Sequence, residues 1–464
     1  MILRDIEDIT LETSTYRGQN IIKEVDLANV PWVDNSMSEA FCNCYNLINI
    51  TNINENVTDM VNTFYYCNNL VDAPVIPNTV VNMVGTFAFC KNLKNAPDIL
   101  ENVKYMNNAT WNYGISGQYY DYGTFQNCWN LENAPDMSNA TNVINMSQTF
   151  AYCNDLSNVP DLSNCRNLKD ISGLFMYCKN KLINAFNLNI PNTVINMINT
   201  FYYCSNLINA PVIPDSVTNM VRTFWNCYSL VNAPTIPNSV TNMNSTFYHC
   251  NSLENAPIIP NSVIDMARAF DNCLILENVP NMSDAINISN MSYTFNNCTN
   301  LKNAPDLSNC RNLITLDHAF NNCTNLFNVP DLNNCFMVLN MTGTFAYCSN
   351  LVDAPVIPNS VTNMASTFYN CQNIETINII PANVVNMYRT FYNCKSLSGN
   401  IIIESEIVNS VAECFYGCPN EKIKNVYIPF QNNGVNTLTY NKFYASYGSG
   451  QNGVTLLDLN SLNS

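Results

Sequence analysis

"VTNMNSTFYHC", residues 240–250, is one of three near copies of a single phrase, with "VTNMVRTFWNC" at 217–227 and "VTNMASTFYNC" at 361–371. All three close on Phe-x-x-Cys. That ending recurs sixteen times between Phe41 and Phe415, at spacings of 23 to 26 residues apart from one gap of 38 between Phe87 and Phe125. A fixed period of this size marks a stacked array in which each unit packs only on its neighbours. Such a chain reaches 464 residues without the several separate cores that a globular protein of that length needs.

Within the phrase, Met243, Phe247 and Cys250 are spaced i, i+4, i+7, the apolar face of a helix. Asn242 precedes the Met, and Asn or Asp holds that place in most units, as at Asp59, Asn82, Asn219, Asp265 and Asn363. A short side-chain acceptor there reads as an N-cap. The spacing therefore predicts a capped helix of about two turns, stable only when its apolar face is covered. The cover is the next piece, "LENAP", in which Leu253 and Ala256 recur as Leu207/Ala210 and Leu351/Ala354. Stacked, it predicts a parallel ladder with neighbours ~4.8 Å apart. Pro follows the Ala in most units and cannot donate to a ladder, so the strand is very short or ends at that Ala. The Asn before the Ala (Asn209, Asn232, Asn255), and Asn278 before Val279, are expected to form a column of stacked amides. The fold class expected is an α/β repeat solenoid of about sixteen units, each a very short parallel strand plus a short capped helix.

Sixteen of the twenty-one cysteines occupy one slot of successive units, behind the Phe. One per unit is what a small buried hydrophobe looks like, and reduced, buried thiols are expected rather than disulfides or zinc sites. No cofactor and no metal are expected. A net charge of −16, with only 19 basic residues scattered along the chain, argues against nucleic acid as partner. No apolar run has the length of a membrane span, so no membrane insertion is expected. The opening residues "MILRDIEDITLE" carry no run of signal-peptide length, which predicts no Sec-type export.

"MSNATNVINMSQTFAYCNDL", residues 137–156 with the Met-x-x-x-Phe-x-x-Cys-x-x-Leu core, resembles the bacterial surface-protein repeat common in mycoplasma lipoproteins. The shorter units, with "IPNSV" and the closing Phe-x-x-Cys, are similar to the BspA-like leucine-rich repeat. The resemblance spans residues 37–418 and implies a leucine-rich-repeat-like solenoid with a non-enzymatic adhesion or binding role. No Ser-His-Asp set, phosphate loop, HExxH helix or paired-carboxylate cleft stands against that.

Three segments fall outside the regular grammar. Residues 1–36 read as an N-terminal cap or attachment segment, and residues 419–464 as a C-terminal Gly/Asn/Tyr-rich segment that resembles closing segments of gut-phage proteins. Residues 106–124 intrude between Met106 and Phe125 as an aromatic loop carrying Trp111, Tyr113, Tyr119, Tyr120 and Tyr122. That loop binds a partner, packs back on the solenoid or makes an oligomer contact.

The two residues inside Phe-x-x-Cys face away from the core. They are Tyr202/Tyr203, Trp225 and Tyr248 in the middle of the chain but Asp271/Asn272, Asn296/Asn297 and Asn321/Asn322 further on. The rings either lie flat over the neighbouring helix or line a stripe for a sugar or protein partner, with the Asn-rich units as a gap in it. The expected function is a phage virion component, tail or fibre, that recognises a host cell-surface glycan or protein. Other virion proteins and a second copy of the chain are further expected partners. A purely structural virion part, or a surface adhesin of a cellular microbe exported by a non-classical route, are the alternatives.

Overall fold

The computed structural model describes residues 23–107 except 29 and 31, residues 122–429 except 281, 283, 407, 420 and 421, and residues 455–459 and 461. The chain divides into two compact units, Met1–Ser239 and Val240–Ser464.

The capped helix is the one element that must be corrected. Among the described residues there is no α-helix, and the segment from Met to Cys is a run of tight turns. In residues 243–250 the N–H groups of Met243, Ser245, Phe247 and His249 donate to the carbonyls of Asp265, Ala267, Ala269 and Asp271 in the next repeat, each at 2.8 Å. The intervening N–H groups of Thr246, Tyr248 and Cys250 donate three residues back, at 3.1 to 3.3 Å. An α-helix would direct its N–H groups four residues back within the segment. Here every second one is spent on the neighbour. The alternation needs a left-handed residue at the second and sixth positions after each Met, such as Ser245 and His249, both at φ 57. Gly343, at φ 56, fills the second position of its repeat, where such a backbone carries no Cβ penalty.

Met, Phe and Cys nonetheless share one buried face, because three successive turns also return residues 0, 4 and 7 to the same side. Met243, Phe247, Cys250 and Leu253 are all fully buried. The residue before the Met does bond as a cap would: Asn242 Oδ1 accepts the N–H of Asn244 at 2.9 Å. What it closes is a turn, and the same residue forms a parallel bridge to Asp265.

The first unit opens with strand β1 (Glu24–Asp26), paired parallel to β2 (Asn49–Thr51). Thereafter its rungs shrink to single bridging residues, Asn145 to Asp170 to Asn196 to Asn219 in one column and Asn184 to Asn209 to Asn232 in the other. The second column is the predicted strand, reduced to the Asn before Ala-Pro. Its amides bond to one another, as Asn209 Nδ2 to Asn184 Oδ1 at 2.5 Å. Phe rings from Phe41 to Phe224 stack along the interior, with centroids 5.4 to 5.8 Å apart. The long gap leaves this stack intact, because Met106 and Phe125 fill their usual slots and the Thr124 N–H reaches the Met106 carbonyl at 2.9 Å.

The second unit repeats the scheme from Phe247 to Phe415. Its parallel ladder runs beyond Cys418. Strand β3 (Gly399–Ile402) pairs with β4 (Ile423–Ile428), and β4 with β5 (Thr455–Asp458). All twenty-one cysteines are buried, and none forms a disulfide. Thiols of the repeated slot donate to the Phe carbonyl of the preceding repeat within each unit, as Cys204 to Phe175 at 3.1 Å and Cys371 to Phe345 at 2.9 Å. Burial pushes the Cys371 thiol well up, so it stays protonated.

Candidate functional site

The backbone ladder stacks the fifth and sixth residues after each Met in two outer columns, in which some fifth-position side chains, such as Ala88, Ala151 and Asp271, are buried. Among the residues singled out in the sequence, Trp111, Tyr113, Tyr119 and Tyr120 lie outside the described residues. Tyr122 is described. It packs on Tyr65 and Phe89, with centroids 5.1 and 5.2 Å away, within a cluster that includes Tyr66. Burial first, then the hydrogen bond with Tyr122, push the Tyr65 phenol up. Gly123 follows because a Cβ there would collide with the Gln148 carbonyl.

Tyr202, Tyr203 and Trp225 come together in the first unit. Tyr202 and Trp225 lie 5.8 Å apart at 25°, and the Arg222 guanidinium sits 5.2 Å from the Trp225 ring. Tyr203 continues a stack that the sequence reading passed over, Tyr152 to Tyr177 at 4.6 Å and Tyr177 to Tyr203 at 5.0 Å. Both missed rings stand in the slot just before the repeat Cys, which is the signal that would have found them. Tyr248 belongs to the second unit, 4.6 Å from His249.

Further along the second unit, rings and amides occupy the same two columns. Asn296 Nδ2 donates to Asp271 Oδ1 and Asn321 Nδ2 to Asn296 Oδ1, both at 2.7 Å. Beside them Asn297 donates to Asn272 at 3.0 Å and Asn322 to Asn297 at 2.8 Å. The Asn-rich units are thus an ordered double amide ladder. After it come Tyr347, Tyr369, Tyr392 and Tyr416, with centroids 5.3, 4.8 and 4.9 Å apart. At the head of the ladder Asp271 is 1% exposed, held by Asn272, Asn296 and the Arg268 guanidinium at 3.3 Å. Burial pushes its carboxyl up to about 6, against the pull of Asn296 and Arg268. Arg268 lies 4.4 Å from the Tyr293 ring, which stacks on His318 at 4.8 Å.

A second surface is the apolar side of the Pro turns. A groove of about 500 Å³ opens in the first unit along Pro211, Val212, Pro234 and Pro237, where Val212 is 82% exposed. Among the described residues no group of His, Cys, Asp and Glu could hold a metal ion, and no helix is long and apolar enough to cross a membrane.

One-residue parallel rungs around a column of Leu, Met, Phe and Cys define a repeat scaffold of the leucine-rich class. The model of the BspA type leucine rich repeat region matches six times, at residues 6–116, 112–208, 173–302, 221–352, 268–388 and 316–448, and the chain belongs to that family. No curated protein matches it. Among solved structures, a leucine-rich repeat protein from Bacteroides ovatus is similar, with 19% identity over 95% of this chain and 85% of that one and a TM-score of 0.45.

Proposed function

We propose that the chain is a non-enzymatic binding scaffold that attaches to a host cell surface through the two outer columns of rings and amides. One observation carries this reading. The same two outer slots hold, over runs of successive rungs, side chains that stack on or bond to one another, as Tyr177 with Tyr203 and Asn297 with Asn272. A surface ordered before its partner arrives loses little side-chain entropy on binding. In the first unit the anchors are Tyr202, Tyr203 and Trp225, and aromatic residues of this kind dominate binding energy at interfaces.

The setting we favour is a virion, as a tail or fibre part. It is supported by the composition of residues 419–464 and tested by searching purified virions for the chain.

Attachment of the purified protein to host cells tests the binding role. Tyr202→Ala with Trp225→Ala is expected to weaken attachment about tenfold or more, the loss of roughly 2 kcal/mol typical of a hot spot. The melting point should fall by no more than the loss of this one outer ring pair, leaving the variant folded in the assay. Unchanged attachment by a folded double variant, together with unchanged attachment by the outer-column variants of the second unit, would overturn the reading.

A further inference from the structure

In the second unit the outer columns form one track of seven rungs, from Asp271/Asn272 to Tyr416/Gly417. What the track offers a ligand follows from what its side chains have already used. Tyr369 and Tyr392 stack at 15°, and Tyr392 and Tyr416 at 18°. Ring faces inside the stack are therefore covered by rings, and the edges with their hydroxyls are what remain. A carboxamide has two N–H donors and two acceptor lone pairs. Asn297 spends one donor on Asn272 and one acceptor on Asn322, as would any amide inside such a ladder. One donor and one acceptor are left on that half-buried side chain. Asn393 Nδ2 donates to Asn370 in the same way, at 3.0 Å. The one buried carboxylate of the track, Asp271, is matched by Arg268.

The result is an uncharged row of hydroxyl and amide groups at the spacing of neighbouring strands, ~4.8 Å. A protein partner anchored by apolar side chains needs open apolar faces or pockets, and the covered rings do not supply them. An extended neutral polysaccharide offers the complement, since each hydroxyl both donates and accepts. Its sugar units also follow one another at close to the strand spacing.

We infer that this track reads a neutral linear glycan laid along the rungs, about one sugar unit per rung, by hydrogen bonds rather than by ring stacking. The inference rests on the proposed attachment role and names the ligand class for it. A series of neutral linear oligosaccharides of increasing length, with sialylated and sulfated chains beside it, is the probe. Neutral chains are expected to be retained, more tightly with length until the track is spanned. Tyr369→Phe with Tyr392→Phe keeps the stack and removes two hydroxyls, and it should weaken retention at least tenfold. Asn322→Leu, at the open end of the ladder, should do the same with the melting point nearly unchanged. Equal retention by folded variants, or preference for charged chains, overturns the inference. Host cells treated with periodate or with protease separate the two readings. Attachment that survives periodate and is lost to protease overturns the glycan and leaves the attachment role standing, whereas no attachment to untreated cells overturns both.

Discussion

Within the second unit, the rungs from Asp271 to Asn322 and those from Tyr347 to Tyr416 meet one demand in two ways. Each must satisfy side chains that repeat at strand spacing. Amides do it by donating to the amide one rung back, and phenols do it by stacking. The backbone and the interior do not register the change: Phe295–Phe320 and Phe368–Phe391 are 5.5 and 5.6 Å apart, with the same buried Cys beside them. The interior thus fixes the scaffold, and the outer columns are free to vary.

If that is right, interior changes must hurt both regions alike. Phe295→Ala and Phe368→Ala each truncate a fully buried ring between two others, and each should cost about 3–5 kcal/mol. Urea unfolding of the two variants checks this. A clearly smaller loss in the amide region would mean that its ladder carries part of the stability.

Charge is the next way to break the comparison, because only the amide region has a buried carboxylate. Asp271 goes from 3.8 unfolded to about 6 folded, so the folded chain holds more proton than the unfolded chain between those values. Stability should therefore rise as pH falls from about 7 towards 4, by up to about 3 kcal/mol from this group. Asp271→Asn continues the amide column and should remove that dependence while raising stability at neutral pH. Melting curves across this pH range decide it, and a parent protein that loses stability through this group on acidification contradicts the account.

Thr in the slot before Phe tests the turns themselves. The Thr344 hydroxyl lies 2.9 and 2.8 Å from the Leu316 and Met341 carbonyls, and the Thr367 hydroxyl 2.9 and 2.7 Å from those of Met341 and Met364. Thr→Val at either position leaves those carbonyls short of a donor in a buried place, at a cost of about 1–3 kcal/mol. Equal losses at the two sites are expected in thermal unfolding, since the turn is the same in the repeat that borders the amide ladder and in the one inside the ring stack.

Much of this was legible in the sequence. The period gave the array, and the recurrence of Met, Phe, Cys and Leu gave the interior. Asn before Ala-Pro announced the amide column at the second bridge. Helix against turn was not settled by spacing, because three tight turns bring residues 0, 4 and 7 to one face just as two helical turns do. The available cue was Gly85, Gly173 and Gly343 at mid-segment, each at positive φ and each unfavourable in a helix interior. The outer columns were harder to read for another reason. A sequence shows Tyr giving way to Asn as a loss of rings, but it does not show that Asn272, Asn297 and Asn322 bond in register. That order depends on the ladder beneath them.

The smallest effect separates the two chemistries most cleanly. Tyr392 is stacked between Tyr369 and Tyr416, with Arg389 5.5 Å from its ring. Removing the ring in Tyr392→Ala should cost about 0.5–1.5 kcal/mol beyond the lost burial, the range measured for aromatic pairs. Tyr392→Phe keeps the stack and should leave the melting point within a degree or so of the parent, since surface changes that spare such features fall within about 0.5 kcal/mol. On the amide side no such isostere exists, because Asn297→Leu keeps the shape but cuts the ladder at both Asn272 and Asn322. It should therefore be more costly than Tyr392→Phe, by at least about 1 kcal/mol for the two half-buried hydrogen bonds, and the left-handed backbone at Asn297 adds to the loss. Calorimetry on the three variants reads the order directly. If Tyr392→Phe proves the most damaging, the phenol hydroxyls hold the track together, and the division between stacked rings and bonded amides fails.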